Sequence, residues 1–157
     1  MDLFHISIGE YLYCGLMGLQ YSAMGISIVK AEEQEKLVQN ILNTFQDAVV
    51  WIDITSKIVE WNKAAETVFG FKRGDVIGRS LTSTIIPDHH RENHMAGMKN
   101  FLATGEASIF GHTVEIDAMT WSGTSISVAI SIDKIVVDGR QYFTSHIRPL
   151  NEIPIKF

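Results

Sequence analysis

Apolar and polar positions change period several times along this chain, and each change marks an element. Within residues 124–132, Ile126, Val128, Ile130 and Ile132 alternate with Ser125, Ser127, Ala129 and Ser131. A period of two with one apolar face predicts a half-buried antiparallel strand. Residues 48–54 form a β-branched run that stops at the turn-rich Asp53-Ile54-Thr55-Ser56, and residues 57–61 read as its hairpin partner. Trp121-Ser122-Gly123 predicts a turn. Asp138-Gly139 predicts a tight hairpin leading into a last strand over 141–147.

Between the strands the period lengthens. Leu37, Val38, Ile41, Leu42 and Phe45 share one face of a helix over 32–45 that opens with an acidic first turn. Asn62 is placed to cap a short helix that Gly70 stops, and Gly74 and Gly78 leave room for one further turn around Asp75-Val76-Ile77. The longest helical stretch runs over 87–103, with Asp88 as its cap and Thr104-Gly105 as its end. Met95, Met98 and Leu102 recur at helical spacing and predict its buried stripe, with His94 at the edge. A strand over 109–116 then places Phe110, His112, Val114 and Ile116 on the more apolar side. His94 and His112 are thus both expected to aim at one interior.

Two strands, short helices, one longer helix and a three-stranded meander make an α+β domain. The expected form is a five-stranded antiparallel sheet with helices on one face and a ligand-sized hollow between them. The organisation expected is an apolar flank over 1–30, an amphipathic helix over 31–46, one domain over 47–150, and a tail over 151–157 leading toward an effector. Residues 11–29 are nineteen positions without a charge, the length of a membrane span. Gly15, Gly18, Gly25, Gln20, Ser22 and Ser27 weaken that reading and favour a flank that packs on the domain or on a second copy. The absence of a basic segment before it argues against a secretory signal.

Composition narrows the partners. With 157 residues the chain can bury one core without staples. A formal net charge of −5 argues against a nucleic-acid partner, which would want a basic face. The single cysteine, Cys14, excludes an internal disulfide and a multi-cysteine zinc site, and a cytoplasmic setting is expected. His90 and His94, four apart on one helix, could hold a metal, although no third ligand is identifiable and His90-Arg91-Glu92-Asn93-His94 is not the metalloprotease motif. No nucleophile elbow or paired-carboxylate arrangement is present, so no enzyme is expected.

The run Asn62-Lys63-Ala64-Ala65-Glu66-Thr67-Val68-Phe69-Gly70-Phe71, the later Ile77-Gly78-Arg79-Ser80-Leu81 and the closing Tyr142-Phe143-Thr144-Ser145-His146-Ile147 occur in the order found in PAS domains. Residues 33–150 resemble that family, which implies a sensory or interaction module joined to an effector such as a histidine kinase or cyclase. Within the family, residues 85–116 resemble the haem-binding oxygen sensors. That resemblance implies haem b, with His94 at the position of the proximal iron ligand and His112 where a distal ligand or gas contact can sit. It further implies Arg91 near a haem propionate, and Met98, Phe110, Val114, Ile126 and Val128 lining the pocket. Val114 stands in the approximate place of the distal arginine of several such sensors, Pro149 where an acidic residue usually opens the effector link, and Trp121-Ser122 in place of a basic-Asp turn. The alternatives are a cofactor-free PAS module that dimerises through residues 1–46, and a sensor of another small ligand such as a flavin or an organic acid. Cys14 lies outside the domain, which speaks against the cysteine-adduct flavin chemistry of light-sensing relatives.

Overall fold

The computed structural model describes residue 30 and residues 32–150. Cys14, the uncharged run over 11–29 and the tail over 151–157 lie outside the described residues. Among those described, no helix is long and apolar enough to cross a membrane. The chain divides into two units, Met1–Ile41 and Leu42–Phe157. The described part of the first is most of the helix α1 (residues 32–42), on which Leu37, Val38 and Ile41 are exposed.

The second unit is a five-stranded antiparallel sheet with helices inserted between its second and third strands. The strands are β1 (Ala48–Asp53), β2 (Ile58–Trp61), β3 (Thr113–Met119), β4 (Ser125–Val137) and β5 (Arg140–Pro149). Their spatial order is β2-β1-β5-β4-β3, so the first strand lies beside the last at the centre. β1 suits that place because Ala48, Val49, Val50 and Ile52 are all buried. Register fixes the inner face: Val50 opposes Ser145 and Ile52 opposes Phe143. Further along, Ile130 opposes both Ile147 and Val114. The expected alternation holds in β4, where Val128 and Ile130 are buried and Ile126 and Ile132 pack against the core.

The helices are α2 (Lys63–Phe69), α3 (Arg73–Val76), α4 (Leu81–Thr84) and α5 (Asp88–Thr104). Asn62 caps α2 as expected, its Oδ1 accepting from Ala65 N at 2.9 Å, and Gly70 ends it at φ 79°. The same Asn62 accepts from Val49 N at 2.9 Å and donates Nδ2 to Leu42 O at 3.0 Å and Asp47 O at 3.1 Å. One buried amide therefore ties Leu42, the start of β1 and α2 together within the second unit.

Several expected boundaries move, each for a local reason. α1 stops at residue 42, and Phe45 follows a turn closed by its N–H on Leu42 O. Asp88 is the first residue of α5 and not its cap. Pro87 holds the cap position, and Asp88 pairs with Arg91 at 2.8 Å. α4 was not anticipated, because Leu81-Thr82-Ser83-Thr84 carries little helix propensity. The third strand begins at Thr113 and not at 109, since Gly111 turns the chain at φ 74°. β4 and β5 run beyond the apolar pattern to a turn with Asp138 at φ 49° and Gly139 at φ 74°. Their outer ends are held by backbone pairing while Val136 and Val137 stay exposed.

Candidate ligand site between the long helix and the sheet

α5 crosses the inner side of the sheet with Arg91, His94, Met98 and Phe101 on its covered face. These residues recur at intervals of three and four, as one helical stripe must. Phe101 is buried, and Met98 packs against the core. The expected stripe of Met95, Met98 and Leu102 is corrected: Met95 is 62% and Leu102 56% exposed. Both stripes contain Met98 and differ by a small rotation about the helix axis. The aromatic contacts set that rotation. Phe101 meets Phe143 edge-on at 5.0 Å and Phe110 at 5.5 Å, and Phe110 stacks on Phe143 at 5.8 Å. Such pairs add about 0.5–1.5 kcal/mol each beyond area burial.

His94 is half-buried at the end of this stripe nearest α4. Its Nδ1 lies 3.3 Å from the Thr82 hydroxyl oxygen, and burial pushes the imidazole pKa below its ordinary value of 6.5. Desolvation penalises the charged ring, so the neutral base is favoured. In the tautomer that donates Nδ1–H to Thr82, Nε2 keeps its lone pair and can bind a metal ion.

The remaining candidates separate into two groups. Met98, Phe110, Val114 and Ile126 are partly buried and pack on one core, to which Val128 contributes a buried wall. His112 does not join them. It is exposed in the turn that precedes β3, its N–H directed to Ile109 O at 3.4 Å. The expectation that it points inward fails because the left-handed Gly111 delays the strand past it. Arg91 donates Nε to Ile86 O at 3.2 Å and Nη1 to Asp88 at 2.8 Å, so its guanidinium is engaged at the start of α5. His90 lies with its ring 4.1 Å from that of His89, while His94 Nδ1 lies beside Thr82 Oγ1. Sequence reasoning missed Thr82 and Phe143. Phe143 could have been found from its alternation with Tyr142 and Thr144, whereas nothing local marks Thr82.

Residues 36–144 match the family model of the PAS fold. The chain belongs to the PAS fold family. Among solved structures, this PAS domain is similar to that of an HTR-like protein from Haloarcula marismortui, with a TM-score of 0.61 at 17% identity over 80% of this chain and 99% of that one. Among curated relatives it is 38% identical over 112 residues to an uncharacterized protein of Azorhizobium caulinodans, covering 71% of this chain and 15% of the relative. It is 28% identical over 119 residues to the sensor protein FixL of Bradyrhizobium diazoefficiens, covering 76% of this chain and 23% of FixL. It is 26% identical over 99 residues to the oxygen sensor protein DosP of Escherichia coli, covering 63% and 12%. The chain thus spans less than a quarter of each of these relatives.

Proposed function

We propose that this PAS domain is the sensory module of a signalling protein and that His94 would hold haem b there. The observation that carries the reading is His94 itself, a half-buried neutral imidazole whose Nδ1 is oriented by Thr82, leaving Nε2 as a donor. A named oxygen sensor among the relatives supports the same class of signal. The donor chemistry fits: an imidazole oriented by Thr82 on the same helix as Met98, which packs with Phe110, Val114 and Ile126 against one apolar core. Bound haem would supply an iron centre able to take a diatomic ligand. His94 would anchor it, and the apolar residues would exclude water. His112 is given no part at the iron, because it is exposed ahead of β3. A difference in affinity between ligand-bound and ligand-free states would then shift the domain between conformations and reach an effector elsewhere in the protein.

A second reading is favoured by one observation. Phe101, Phe110 and Phe143 interlock across the interior, as they would in a cofactor-free module that relays signals by contact. The exposed Leu37, Val38 and Ile41 of α1 offer such a module a dimerising face.

One titration separates the two. Purified protein should take up haem at one equivalent with a Soret band that shifts on reduction and on addition of carbon monoxide. His94→Ala should reduce uptake at least about tenfold, the scale of losing a metal-site interaction. His112→Ala should leave uptake and spin state as in the parent. Uptake unaffected by His94→Ala removes His94 as the ligand, and absence of saturable uptake selects the cofactor-free module. In that case deleting residues 1–46 should halve the number of chains per particle measured by analytical ultracentrifugation.

A further inference from the structure

We propose that His89, His90 and Asp117 form a second site, specific for a divalent first-row transition-metal ion. One ring nitrogen from each histidine and one carboxylate oxygen of Asp117 all lie within 4.8 Å of one another. Zinc binds such donors at about 2.0–2.2 Å, so tetrahedral ligands sit roughly 3.3 Å apart, and closing the site takes small rotamer adjustments. The site stands apart from His94 and does not depend on haem.

The convergence needs explaining, because neighbouring residues on a helix project in different directions. His89 and His90 occupy the first turn of α5, and their ring centroids are nevertheless only 4.1 Å apart, tilted by 48°. Their partner comes from a distant part of the sequence. Met119 N donates to Ile85 O at 2.8 Å, which fastens the end of β3 beside the segment that opens α5. Asp117, two residues earlier on β3, is thereby brought to the two rings. Its Oδ1 accepts from Ser127 Oγ at 2.9 Å. A carboxylate held by one oxygen presents the other in a fixed direction, the usual arrangement around a metal ligand.

The donor set selects the ion. Two imidazoles and one carboxylate suit zinc, iron, cobalt or nickel, whereas magnesium and calcium want oxygen alone and copper(I) wants sulfur. Three protein ligands leave a coordination position open to water or to a small ligand. The nearest basic residue on the helix, Arg91, is paired with Asp88 at 2.8 Å, which offsets its repulsion of a cation. Metal held here would clamp the first turn of α5 to the edge strand, and so hold one end of the helix that carries His94.

The test uses the full chain without an affinity tag, titrated with Zn²⁺ by calorimetry and with Co²⁺ by visible absorption. One ion per chain is expected, with a cobalt d–d spectrum of nitrogen and oxygen ligation and a raised Tm. His90→Ala and Asp117→Asn should each weaken binding at least about tenfold, and Ser127→Ala about tenfold by freeing the carboxylate. Asp117→Asn keeps the shape of the side chain, and circular dichroism checks that each variant is folded; His89→Ala, at an exposed position, gives an independent loss. His94→Ala should bind as the parent does. No saturation at one equivalent, or variants equal to the parent, overturns the site. Loss of binding in His94→Ala also overturns it, by moving the ion to the His90–His94 pair.

Discussion

The corner formed by β1, β2 and α2 and the side formed by α5 and β3 belong to one sheet domain but are built differently. At the corner, Trp61, Phe69, Ile58 and Ala65 are fully buried, and the buried Asn62 and Glu60 side chains beside them are hydrogen-bonded, while Trp51 Nε1 and Ser56 Oγ are buried without a hydrogen-bond partner among the described residues. Asn62 serves four backbone groups, and buried Glu60 accepts from Trp61 N at 2.8 Å and from Arg73 Nε at 3.3 Å. The Arg73 backbone N–H, with Lys63, holds Glu66 below the ordinary carboxylate pKa. On the α5 side, Phe101 alone is fully covered among the helix residues. Met98 and His94 are half-covered, and Ile116 of β3 is 41% exposed although its neighbours Val114 and Ala118 on that face are covered. The corner spends its contacts on one rigid arrangement. The other side leaves apolar surface partly uncovered, which a ligand can use.

The comparison predicts a descending series of effects. Asn62→Ala should be the most damaging, because it strands buried Val49 and Ala65 N–H groups and removes a helix cap. A loss of about 3 kcal/mol is expected from the urea midpoint at constant m. A cost below about 1 kcal/mol would mean water replaces the amide and the corner is not rigid. Met98→Ala on the half-covered side should cost less, about 1–2 kcal/mol, since only part of the side chain leaves the core.

His94 sharpens the contrast through pH. Its folded pKa lies below the unfolded value of 6.5, so the unfolded chain binds the proton more readily. Stability is therefore unpenalised above 6.5 and falls as pH drops from there toward the depressed native pKa. His94→Gln, which can still meet Thr82, should flatten that segment of the stability-versus-pH curve. An unchanged slope would show that the ring is not desolvated. The smallest effects belong to Met95→Ala and Leu102→Ala, each within about 0.5 kcal/mol at exposed positions. Should either match Met98→Ala, the rotation assigned to α5 is wrong.

Most of the fold was legible because its signals are local. The alternation in β4, the Asn62 cap, the Gly70 stop and the Asp138-Gly139 turn depend on residues within a few positions of one another. The candidate site was legible only in part. The partly covered position of His94 was legible, and its contact with Thr82 was not, since that contact joins positions twelve apart through a four-residue helix. His112 was assigned inward by extending a period of two back through Gly111, where the backbone turns. The metal-binding reading of the histidines named His90 and His94 from helical spacing, while the structure gathers His89, His90 and Asp117.

By itself the sequence determined most of the strands and the longer helices, and the apolar face of β4, since these follow from backbone geometry over short windows. It also determined that a histidine lies on the long helix. The rotation of that helix was decided by tertiary structure, because stripes through Met95 and through His94 are nearly equivalent in spacing. Only the meeting of Phe101 with Phe110 and Phe143 distinguishes them. Tertiary structure likewise decided which polar groups meet. Asp117 reaches His89 and His90 only after β3 is fastened to Ile85, and no periodicity encodes a contact whose partners lie on different elements.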